Sequence, residues 1–86
     1  MNNMKGIKTK LLKMLPNNKY VSFKNSHSFS IDEVTYLLWG IEREGKNIWV
    51  DMEDDSGFMS GRYYYPFVDI DERLYPYIMK YLENVK

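Results

Sequence analysis

The stretch VTYLLWGIEREGKNIWVDME, residues 34–53, decides the fold. Ile48, Val50 and Met52 alternate with Trp49, Asp51 and Glu53, the period-two pattern of a strand with one buried face. Upstream, Leu37, Trp39 and Ile41 alternate with Leu38, Gly40 and Glu42. Between the two runs, Glu44-Gly45-Lys46-Asn47 carries the Gly and Asn of a turn, so the stretch reads as a β-hairpin. A loop of two or four residues pairs Arg43 with Ile48, Ile41 with Val50 and Trp39 with Met52. That register lays both apolar sets on one face. An odd loop sets Val50 against Glu42. The even loop is therefore predicted, because a slip of one residue turns a strand inside out. In this register Leu37, Trp39, Ile41, Val50 and Met52 face the core. Tyr36, Leu38, Gly40 and Trp49 face outward.

The flanking segments are expected to cover this hairpin. Ile7, Leu11, Met14 and Leu15 form one helical stripe, so residues 4–15 read as a basic amphipathic helix. Asn2 or Asn3 can cap it, and Pro16 with Asn17 and Asn18 stops it. Residues 19–24 alternate as a short strand, with Tyr20 and Ser22 on one side and Val21 and Phe23 on the other. Residues 25–30 are polar and turn-rich, with a second short extended piece expected through Phe29 and Ile31. Beyond the hairpin, residues 54–57 read as a turn and 62–65 as a strand. Pro66 confines that strand to an edge. Leu74, Ile78, Tyr81, Leu82 and Val85 trace a C-terminal helix that starts between residues 71 and 76. Asp71 suits an N-cap, and Pro76 suits a first helical position. The expectation is one α+β domain over residues 1–86. It is a small antiparallel β-meander of three to four strands, flanked by an N-terminal and a C-terminal helix.

Composition excludes several function classes. With no cysteine, thiol catalysis, iron–sulfur clusters and cysteine zinc sites are ruled out, and a reducing cytoplasm is the expected location. No run approaches the roughly 20 apolar residues of a membrane span, and the interleaved lysines near the N-terminus do not form a signal peptide. Eight Tyr, four Phe and two Trp are many for so short a chain, and they are expected both in a thin core and on a contact surface. The formal charge is zero but divided, with +6 over residues 1–31 and −6 over the remainder.

No motif carries chemistry convincingly. His27 stands between Ser26 and Ser28, near Asp32, but neighbours in one loop do not converge as nucleophile, base and orienter. Asp51, Glu53 and Asp55 have the spacing of calcium ligands, yet Ser56 and Arg62 stand where that loop needs Gly and Glu. SGFMSGR, residues 56–62, lacks the Lys-Ser/Thr of a phosphate-binding loop. Arg62 followed by Tyr63, Tyr64 and Tyr65 could stack bases, but Asp69, Asp71 and Glu72 follow and repel phosphate. In size and style the chain resembles small bacterial or phage-type proteins, a likeness that carries no functional residue across. The expectation is a non-enzymatic module that contacts a protein partner or a second copy of itself. No metal, cofactor or small-molecule substrate is expected. Tyr36, Leu38, Trp49, Tyr63 and Tyr65 are the expected contact residues. The alternative is nucleic-acid binding through Lys5, Lys8, Lys10 and Lys13 with Arg62.

Overall fold

The structure, a computed structural model, describes residues 4–24, 26–56 and 61–85. Helix α1 (Met4–Met14) leads into β1 (Lys19–Ser22), β2 (Phe29–Ile31), β3 (Val34–Glu44), β4 (Asn47–Asp54) and β5 (Gly61–Pro66). Two 3-10 turns, Phe67–Asp69 and Glu72–Leu74, then precede α2 (Tyr75–Asn84). All pairings are antiparallel and run β1-β3-β4-β5, with β2 joining β3 beyond the end of β1. The α+β class stands, with five strands among the described residues in place of three or four. Asn2, Asn3 and residues 57–60 lie outside the described residues, and with them the expected N-cap and most of the SGFMSGR segment.

The hairpin closes on a two-residue loop, with Glu44 opposite Asn47 and Gly45 at φ 63°. Arg43 faces Ile48, Ile41 faces Val50, Glu42 faces Trp49 and Gly40 faces Asp51, as the alternation predicts. Trp39 departs from it. The register shifts between Leu38 and Gly40, so Leu38 pairs with Met52 and Leu37 with Glu53. Trp39 is the extra residue of a β-bulge, and every side chain upstream of it changes face. Leu38 is therefore fully buried in the core, while Trp39 is 37% exposed on the outer face. The expected facing of Trp39, Leu37, Leu38 and Tyr36 is reversed for that reason.

Both helices cover the same face of the sheet. Leu11 and Leu15 of α1 and Ile78, Tyr81 and Leu82 of α2 join Phe23, Leu38, Ile41, Val50 and Met52 in one core. Arg43, on that face, fastens α1. Its guanidinium donates to the carbonyls of Leu12 at 2.8 Å and Leu15 at 3.0 Å, where the helix end leaves acceptors unsatisfied. Aromatic contacts fasten α2, with Tyr77 stacked on Phe29 at 3.8 Å between centroids and Tyr81 against Phe23 at 5.8 Å. The start of α2 combines both sequence signals. Asp71 caps a 3-10 turn by accepting from the Arg73 amide at 2.9 Å, and Pro76 then occupies the first turn of the α-helix. Arg73 also clasps the carboxylates of Asp71 and Asp32, tying α2 to the turn between β2 and β3.

Candidate functional site

The other face of the sheet carries no helix among the described residues. Its centre is an acid. Asp51 occupies the middle of β4 between Val50 and Met52, points away from the core, and is nevertheless 1% exposed. The side chains of the two flanking strands close over it. From β5, Arg62 makes a bidentate pair, Nε to Oδ1 at 2.9 Å and Nη2 to Oδ2 at 2.8 Å. From β1, the Tyr20 hydroxyl donates to Oδ2 at 2.7 Å. Tyr20 reaches across Gly40 to do so. A Cβ at residue 40 would stand 2.4 Å from the Tyr20 oxygen and 2.6 Å from the Val21 carbonyl, so this approach requires glycine.

Two further aromatics complete the surface. The Arg62 guanidinium lies over the Trp39 ring at 4.1 Å from its centroid. The Trp39 indole N–H donates to Glu53 at 3.0 Å. Tyr64 stacks on Tyr20 with ring centroids 6.3 Å apart and is 51% exposed. Burial pushes the Asp51 pKa up, but the hydrogen bonds from Arg62 and Tyr20 outweigh it and hold the carboxyl below its ordinary value. Burial, then the hydrogen bond to Asp51, pushes the Tyr20 phenol well above its ordinary value. The network therefore holds a carboxylate ionised and a phenol protonated.

The expected contact residues are dispersed. Trp49 is on this face, half-buried, and borders a shallow hollow that also takes in Ile48, Phe67 and Lys8 of α1 from the covered side. Leu38 is in the core, a correction that follows from the bulge. Tyr36 and Tyr65 share the core side and are partly buried, Tyr36 against Phe29 at 5.9 Å. Tyr63 lies opposite Met52 on that side but is 46% exposed near the sheet end. Tyr20 is the side chain that lies across Gly40. Lys5, Lys8, Lys10 and Lys13 belong to α1 on the covered face, with Lys10 and Lys13 exposed. Arg62 is on the opposite face and paired to Asp51, so the alternative set is divided. His27 is exposed, and its carbonyl accepts from the Tyr81 hydroxyl at 3.3 Å.

Alternation places Asp51 on the outer face but misses its burial, and it misses Tyr20, Trp39 and Tyr64 as site residues. Two signals point to them: a lone acid between buried Val50 and Met52, and a glycine inside a strand. Fold and site together define a small α+β protein with an aromatic, charge-latched sheet face. Compared with known proteins, the chain matches no family model, no curated protein and no solved structure.

Proposed function

We propose that this chain is a non-enzymatic protein-contact module of a reducing cytoplasm, acting through the sheet face opposite α1 and α2. One observation carries the reading. Arg62 is fixed between the Asp51 carboxylate and the Trp39 ring, beside Tyr64, on a face that the helices leave open. Arg, Trp and Tyr are the side chains that concentrate binding energy at protein interfaces. A guanidinium held in place gives up little freedom when a partner lands on it, which favours association. Glu42, Glu53 and the half-buried Trp49 frame the same face. The absence of cysteine from the sequence agrees with a reducing compartment.

The test is affinity capture from cells that express the protein, with three baits matched for folding by circular dichroism. The expected result is a protein held by wild type and by a Lys10→Gln/Lys13→Gln variant but lost by Trp39→Ser. Capture that survives Trp39→Ser and disappears with the lysine variant, with nucleic acid in the eluate, replaces this reading with the nucleic-acid one.

A further inference from the structure

The two edges of the sheet are built differently. One edge is formed by β1 and β2, strands of four and three residues with a gap between them. Lys19 begins β1 and Lys24 follows it. Short, interrupted, lysine-flanked strands are how proteins keep an edge from pairing with another chain. The other edge, β5, has six residues, and no strand among the described residues pairs with its outer side. Its first four residues are exposed. Its one charge, Arg62, is folded back on Asp51 and leaves the edge without a free counter-charge. The protective devices of the first edge are thus missing from the second, apart from Pro66 at its end.

We infer that β5 is a docking edge for a second copy of this chain, the two β5 strands pairing antiparallel about Tyr64 to join two sheets into one. The inference rests on the protein-contact reading and names a partner for the edge that borders the open face. Three features select a second copy. Keeping the two helix layers on one side of a joined sheet requires opposed residues of like facing. Centred on Tyr64, this sets Tyr64 against the partner's Tyr64, Tyr63 against the partner's Tyr65, and Arg62 against the partner's Pro66. No like charges meet, and tyrosine pairs fill the middle, the kind of cross-strand contact that stabilises sheets. Pro66, which has no N–H to give, falls at both outer ends of the paired segment, where a missing hydrogen bond matters least. The chain also has no net charge to keep copies apart. Such two-fold pairing closes on itself and yields dimers, not filaments.

Sedimentation velocity on the full chain, in a series reaching millimolar concentration, tests this. Wild type should dimerise with concentration, and amide exchange along β5 should slow as it does. Tyr64→Lys places two lysines face to face and should raise the dissociation constant by about tenfold or more. Mixing Tyr64→Lys with Tyr64→Glu should restore association, because the two side chains are opposed only in this register. Urea titration checks that each variant is folded. If Tyr64→Lys unfolds, the exchange of β5 amides in wild type against concentration decides. A wild type that stays monomeric, a dimer indifferent to Tyr64→Lys, or β5 exchange independent of concentration each overturns the inference. Capture lost with Trp39→Ser, measured separately, leaves the protein-contact reading in place in that event.

Discussion

Gly40 and Asp51 face each other across two central strands, and between them they decide how the open face is made. Gly40 gives up a side chain so that the Tyr20 ring can cross the strand, and Asp51 receives the hydroxyl at its end. Gly40→Ala should destabilise the fold by about 1–3 kcal/mol, as overfilling a tight site does, read from urea titration. The backbone carbonyl of Val21 is part of the obstruction, so moving the Tyr20 ring alone does not relieve it. The same cluster sets a pH dependence. The Asp51 carboxyl titrates lower in the folded chain than in the unfolded one. Its contribution is therefore complete above about pH 4 and is lost as pH falls below that. Tyr20 has the opposite sign. Its phenol titrates higher when folded, so its contribution is complete below about pH 10 and lost above. Urea midpoints across both limits should fall at each end. Asp51→Asn should reduce the acid-side fall and Tyr20→Phe the alkaline-side fall.

At the scale of elements, the bulge in β3 separates what is legible in the sequence from what is not. Alternation downstream of Gly40 gives the correct partners for Ile41, Glu42 and Arg43, because a two-residue loop and a continuous ladder leave no freedom. Upstream of it, one inserted residue inverts the pattern, and Leu37-Leu38-Trp39 offers three apolar side chains in a row from which any facing can be drawn. The glycine beside them is the local sign of an irregularity. The Tyr20–Asp51–Arg62 site was out of reach for a second reason. Its members come from three strands, and only the tertiary register brings them together. The bulge has a direct check. Leu38→Ala should lower stability by about 2–5 kcal/mol. Trp39→Ala should lower it by clearly less, despite the larger residue, because Trp39 remains in contact with water. Thermal melts of the two variants side by side suffice.

Across the whole molecule, charge is distributed between layers. The lysines of α1 belong to the covered side, whereas Glu42, Asp51 and Glu53 share the open side with Arg62. The +6 and −6 of the two parts of the sequence thus fall partly on opposite surfaces of one fold, and nothing in that division builds a continuous basic track. Double-stranded DNA should bind weakly at low salt and release steeply as salt rises, measured by fluorescence anisotropy at several ionic strengths. Tight, sequence-selective binding at physiological salt would reverse the order of the two functional readings.

The turn joining β2 to β3 bears on time as well as on shape. Asp32 and Glu33 both adopt the left-handed conformation, φ 52° and 68°, at a place where Asn-Gly would be comfortable. A glutamate there carries a penalty of about 1–2 kcal/mol. The Arg73 guanidinium, from the far end of the chain, is what grips the turn through Asp32. The β3–β4 hairpin is local in sequence and closed by the two-residue turn at Gly45, so it is expected to form early in folding. β2 gains its Arg73 clasp and its Phe29–Tyr77 stack only when the start of α2 arrives. Folding should therefore finish with a late, local step in which β2 is zipped down. Pulse-labelling hydrogen exchange should show β2 amides protected after those of β3 and β4. Replacing Asp32 and Glu33 together by Asn and Gly should bring β2 forward to join them, leaving the chain to complete its sheet before its last helix has docked.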